Sequence, residues 1–248
     1  MALRDLLLTL MIFGSLPLIL KRPYIGILVW SWLSYMNPHR LTWGFAYDMP
    51  FAYMVALTLF AAILFSKEKH PLPMNGTVVV WILFLGWAAV TTVFALFPDG
   101  AMTLLIKVYK IQIVTFLTIM LINDKRKMDQ LIWVIVLSIG FYSVKGGIFT
   151  LATGGAFRVY GPPESYITEN NALAVAGLVV IPLYLYLADV HKDNKIIRYG
   201  LYAAALLATV AVVGSQSRGA ALALLAVGGF FWLKTKSKII TAPMILVL

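Results

Sequence analysis

Three lysines lie where a lysine is costly. Lys107, Lys110 and Lys145 fall inside long apolar runs that contain no acidic residue. A charge at the centre of a bilayer costs ~2.5–3.5 kcal/mol on insertion scales, so each needs a partner or a route to water. Lys107 and Lys110 are three residues apart, which sets them on one face of a helix. Measured along a helix, Lys107 lies ~6 Å and Lys110 ~10 Å from the start of their run, and Lys145 ~22 Å from the start of its own. Gly146-Gly147 follows Lys145 and lets another backbone or a ligand approach closely. Two arginines extend the set: Arg158 in the loop GGAFRVYGPPESYITENN (residues 154–171) and Arg218 in SQSRGA (residues 215–220). Together the five suit a phosphate or pyrophosphate group, whose oxygens an arginine holds in a bidentate fork. Arg218 stands at a helix start, where its charge opposes the helix dipole unless an anion sits there. The competing readings are lysines that snorkel to the headgroups and an arginine that anchors the interface.

Other chemistries are poorly represented. There is no cysteine, which excludes disulfides, thiolate metal sites and a cysteine nucleophile. His39, His70 and His191 read as loop residues, and no pair of them has metal-ligand spacing. Glu164 and Glu169 are the acids of the longest outward loop. Either could serve as a general base, although the stretch Thr168-Glu169-Asn170-Asn171 equally well caps and opens a helix. No nucleophile–base constellation can be assembled, and no metal or cofactor is expected.

The elements that position these residues follow from composition. Of 248 residues, 61% are hydrophobic and only 12% charged, with a mean hydropathy of +0.89. A soluble domain carries ~25% charged residues, so a soluble enzyme or transcription factor is excluded. Apolar runs recur at residues 6–20, 24–36, 51–65, 77–97, 103–122, 130–153, 172–188, 199–214 and 219–233, and another begins at Ile239. The expectation is an all-α, polytopic transmembrane helical bundle of about nine complete spans and a truncated tenth. The net charge of +10 then reads as topology rather than nucleic-acid binding. Alternate loops hold 13 of the 20 Lys and Arg, and the intervening ones hold four. The basic loops are expected to be cytoplasmic, which puts the N-terminus, the aromatic loop 37–50 and the loop 154–171 outside.

The opening stretch resembles a family. MALRD (1–5), GSLPL (14–18), KRPYIGI (21–27), SWLSYMNPHR (31–40) and LTWGFAYD (41–48) are similar to the N-terminal region of O-glycosylation ligases associated with the exosortase A system. These belong to the O-antigen ligase and polymerase superfamily. Gly161-Pro162, Asn170-Asn171 and SQSRGA at 215–220 resemble the ligase-domain pattern. The resemblance implies an N-terminal membrane region over 1–153 and the start of a truncated ligase-like membrane domain over 154–248. It also implies a metal-independent glycan transfer from an undecaprenyl-diphosphate carrier to an acceptor at the periplasmic face of the bacterial inner membrane. Arg218 would bind the diphosphate, and a catalytic histidine would lie in a loop beyond Leu248. Rival expectations are a flippase for a polyprenyl-linked glycan and a non-catalytic subunit of an exopolysaccharide system. A flippase would be expected to carry inverted repeats, and none is visible.

Overall fold

A computed structural model describes residues 3–65, 71–162 and 165–234. Those residues form nine α-helices, two short 3-10 turns and no strand. The helices are α1 (Leu3–Lys21), α2 (Tyr24–Met36), α3 (Phe51–Phe65), α4 (Gly76–Val93), α5 (Pro98–Leu121), α6 (Lys125–Ala152), α7 (Asn170–Val190), α8 (Lys195–Gly214) and α9 (Arg218–Lys234). Each apolar run up to residue 233 has become one helix. The run from Ile239, the basic residues Lys67, Lys69, Lys236 and Lys238, and Pro163 and Glu164 lie outside the described residues.

Six helices are long and apolar enough to cross a membrane: α1, α4, α5, α6, α7 and α8. The expectation of nine complete spans is therefore met only in part. The reason is length. α2, α3 and α9 have 13, 15 and 17 residues, against the ~20 that a straight crossing needs.

The chain divides into two compact units. One comprises residues 12–30 and 53–128. Within it α4 packs on α5, where the Trp81 and Phe116 rings stand 5.0 Å apart and the Tyr109 hydroxyl donates to the Leu85 carbonyl at 2.8 Å. Only 6% and 11% of the apolar windows of α4 and α5 are buried, against 44% and 50% for α6 and α7. The α4–α5 pair thus offers its apolar surface outward, as helices facing lipid do.

The other unit comprises residues 1–11, 31–52 and 129–248. Asp5 is fully buried, and its Oδ1 accepts the backbone N–H of Ala46 at 3.1 Å, at the start of the 3-10 turn Phe45–Asp48. Gly44 leaves room for this, because a Cβ there would stand 2.8 Å from the carboxylate. Arg4 beside it lies over the Trp43 ring at 4.7 Å. The Tyr142 hydroxyl of α6 donates to the Met36 carbonyl at 2.6 Å.

α7 packs against α8 and α9, and α8 against α9. Their core holds Val136, Ile181, Leu187, Ala208, Val212 and Leu224, all essentially buried. Small residues set the helix spacing. A Cβ on Gly147 of α6 would collide with the backbone carbonyl of Leu207 on α8, and one on Gly214 would collide with the Thr150 hydroxyl. The expectation that Gly146-Gly147 admits another backbone is met here, with α8 as the neighbour. Such close approach is the usual role of small residues between apolar helices. Gly147→Ala should therefore destabilise the purified chain by about 1–3 kcal/mol, the cost of overpacking. Gly86→Ala on α4, where a Cβ meets nothing within 4 Å, should be close to neutral. Thermal unfolding of the two variants in the same detergent checks the difference.

Candidate functional site

The loop after α6 and the turn between α8 and α9 are stitched into one polar cluster. The Val159 N–H donates to the Gly214 carbonyl at 3.3 Å. Below it Val159 packs on the bare face of Gly146, where a Cβ would stand 2.6 Å from its Cγ1. The Asn170 side chain donates to the Ser215 carbonyl at 2.8 Å. Gln216 makes two further bonds: its Nε2 donates to the Gly155 carbonyl at 3.0 Å, and its Oε1 accepts from Arg158 Nε at 3.3 Å. The rest of the loop closes on itself. Gly161 donates to the Thr168 carbonyl, and both the Ser165 and Thr168 hydroxyls donate to the Pro162 carbonyl.

Gln216 reaches both partners because its backbone is left-handed, with φ of 54°. That geometry is uncommon for a residue other than glycine and marks a constrained turn. Ser217 then opens α9. Its Oγ accepts the Ala220 N–H at 3.2 Å, the bond expected of an N-cap serine. Ser215 supports the turn from below, accepting the Ser217 N–H and donating to the Val212 carbonyl.

Three expectations shift in detail. The helix start at Asn170 is where the sequence predicts it, but Glu169 makes no side-chain cap bond. The Thr168 hydroxyl turns to Pro162 and the Asn170 amide crosses to Ser215, because these longer-range bonds hold the loop. The left-handed turn before α9 is made by Gln216, and Gly219 belongs to the first turn of the helix.

Arg158 is thereby tied to the turn that precedes Arg218. Both are exposed, and Arg158 is hydrogen-bonded to the residue two before Arg218. Among the described residues neither arginine forms an ion pair, and Arg218 has no hydrogen-bond partner for its side chain. Arg218 is the first residue of α9, so its N–H and that of Gly219 lack a partner within the helix. A guanidinium and free N–H groups at a helix start can cradle an anion, and Gln216 ties Arg158 to the turn just before it.

Lys145 belongs to the same unit but to a different environment. It is exposed and lines an apolar groove between α6 and α8, with Trp133, Gly140 and Gly200. Lys107 and Lys110 are exposed on α5, in the other compact unit. The cradle is therefore built from Arg158 and Arg218, and a pocket shared by all five cations does not enter its description.

Of the histidines, His70 lies outside the described residues. His191 closes α7, with Nδ1 3.0 Å from the Leu187 carbonyl and its ring edge-on to Trp133 at 5.4 Å. His39 is half-buried, and burial first, then the Arg40 guanidinium, lowers its pKa from 6.5. Among the described residues, no three His, Asp or Glu converge as metal ligands. Sequence reading did not single out Gln216 or Asp5; a glutamine flanked by two serines and an acid near the chain start carry no signal of what they hold.

Two outcomes are expected. Gln216→Ala removes two of the bonds that hold the loop, so amide hydrogen exchange across residues 154–160 should accelerate while α6 and α8 stay protected. For His39, a folded pKa below the unfolded value means that stability is fully present above about pH 6.5 and is lost as pH falls through the folded pKa. Thermal midpoints across pH 7.5 to 5 (an approximate window either side of the imidazole pKa) should fall more steeply in the wild type than in His39→Gln.

The match to known families covers most of the chain. No curated protein and no solved structure matches this sequence. One family model does, over residues 3–192, which includes Lys145 and Arg158 and stops short of Arg218. The chain belongs to that family, DUF5935, a family of unknown function.

Proposed function

We propose that this chain acts in a membrane glycan ligase, which moves a glycan from an undecaprenyl-diphosphate carrier to an acceptor at the periplasmic face of the bacterial inner membrane. The observation that carries the reading is the bond that ties Arg158 to Gln216, two residues before Arg218 at the start of α9. The resemblance of SQSRGA to the ligase pattern supports it from a separate direction. So do the six apolar helices long enough to cross a membrane.

The chemistry divides simply. The bond between the glycan's anomeric carbon and the diphosphate oxygen breaks, and a bond from that carbon to the acceptor forms. The acceptor's proton goes to a base, which the resemblance assigns to a histidine further along the chain. The leaving diphosphate gains negative charge as the bond breaks. Arg218 and Arg158 neutralise that charge, and the first N–H groups of α9 add fixed dipoles aimed the same way. Held by Gln216, Arg158 needs little reorganisation as charge develops. The resemblance implies that the transfer runs without a metal ion.

Arg218→Ala should lower glycan transfer by about 100-fold or more, the size of loss when one donor of a preorganised anion site is removed. Arg218→Lys keeps the charge but not the fork and should fall in between. Transfer is measured from a radiolabelled undecaprenyl-diphosphate glycan in membranes, with membrane recovery of each variant checked in parallel. Wild-type transfer by an inserted Arg218→Ala protein would sink the ligase reading. Passage of the lipid-linked glycan across the bilayer without bond cleavage would favour a flippase.

A further inference from the structure

Arg158 stands in a short segment whose side chains have fixed directions. The Val159 N–H donates to the Gly214 carbonyl at 3.3 Å, and the Val159 side chain is buried on the bare face of Gly146. Arg158 before it and Tyr160 after it are both exposed, Tyr160 to 58%. One inward side chain between two outward ones is the alternation of extended backbone. Val159 therefore makes Arg158 and Tyr160 leave the chain on the same side. Two residues of extended chain rise about 6.6 Å, so the two side chains start about that far apart.

The Tyr160 ring has no task inside the protein. Its side chain makes no hydrogen bond and no ring contact among the described residues. Phe157, on the same loop, turns instead to the Phe149 ring of α6 at 6.4 Å. An exposed tyrosine between apolar helices commonly rests among lipid headgroups. That role explains the exposure of Tyr160 but not its register with Arg158. Arg158 is tied back through Nε to the Gln216 Oε1 at 3.3 Å, which leaves its two terminal nitrogens without a partner among the described residues. A phosphate on those nitrogens has an aromatic face one step along the same side of the chain.

We propose that Tyr160 seats the first sugar of the carrier-linked glycan, with the C–H face of a pyranose ring on the tyrosine ring while Arg158 holds the phosphate on that sugar's anomeric oxygen. The inference rests on the transfer reading for the identity of the anion, and it adds the sugar to that site. The negative face of an aromatic ring attracts the slightly positive C–H bonds of a sugar, which gives the ring a place to lie flat. A span of about 6.6 Å is one that a pyranose and its anomeric phosphate can bridge. Such a stack grips the ring without reading its hydroxyl pattern, so it fixes where the anomeric carbon lies rather than which sugar is chosen.

The test reads binding, with no acceptor present. The chain in phosphatidylcholine nanodiscs is titrated with undecaprenyl diphosphate and with undecaprenyl diphosphate that bears one N-acetylglucosamine, and the two dissociation constants are compared. In the wild type the sugar should tighten binding by about threefold to tenfold, the range of one ring contact. Tyr160→Leu keeps apolar bulk but loses the ring, so the two ligands should bind equally. Tyr160→Phe and Tyr160→Trp should keep the preference, and Arg158→Ala should weaken both ligands. Amide hydrogen exchange in α6 and α8 checks the fold of each variant. Equal binding of the two ligands by the wild type overturns the proposal, and so does unchanged binding by Arg158→Ala. An intact preference in Tyr160→Leu also overturns it and returns Tyr160 to the role of an interfacial anchor. Failure of the transfer reading appears in a different quantity: an Arg218→Ala protein that binds the bare diphosphate as tightly as the wild type counts against that reading, whatever the sugar preference.

Discussion

The bare backbone of Gly147 against the Leu207 carbonyl fixes where α6 and α8 meet, and much of the larger unit depends on that meeting. No side chain longer than hydrogen fits at the contact. Two consequences follow in opposite directions along the helices. Towards their C-terminal ends, Gly146 receives Val159 and Gly214 receives Thr150, so the loop after α6 is drawn down onto the end of α8. Towards their N-terminal ends, Trp133 and Gly140 of α6 and Ile197 and Gly200 of α8 line the groove that also holds Lys145. Substituting at this one crossing would disturb both the arginine turn and the groove.

The cations of this chain sit in settings that suit different partners. Arg158 and Arg218 lie on a scaffold of polar bonds, where Gln216 and two serines hold the turn. Lys145 lies on an apolar wall with Trp133, Gly140 and Gly200.

The chain start illustrates a stricter rule. A buried carboxylate must find donors, or its desolvation is uncompensated. Asp5 finds one at the Ala46 N–H, the first turn of a short helix whose dipole suits a negative charge. MALRD and LTWGFAYD are thus two halves of one contact, with Gly44 supplying the space and Arg4 lying over Trp43.

The sequence by itself determined the helices. Apolar runs between polar breaks place all nine to within a few residues, because hydrophobic length and turn chemistry are local properties. It also marked Arg158, Arg218 and the Gly146-Gly147 pair, since a cation or a double glycine is conspicuous in an apolar chain. Tertiary structure decided which of them belong together. The Gln216 bridge needs a left-handed backbone and a loop more than 50 residues away, and the bond from Arg158 spans 58 positions. It also decided that Lys145 faces a groove rather than the arginine turn, and that Asn170 crosses to Ser215 instead of capping its own helix. These choices rest on contacts between distant segments, and no local pattern of residue types encodes which of several available partners a side chain will meet.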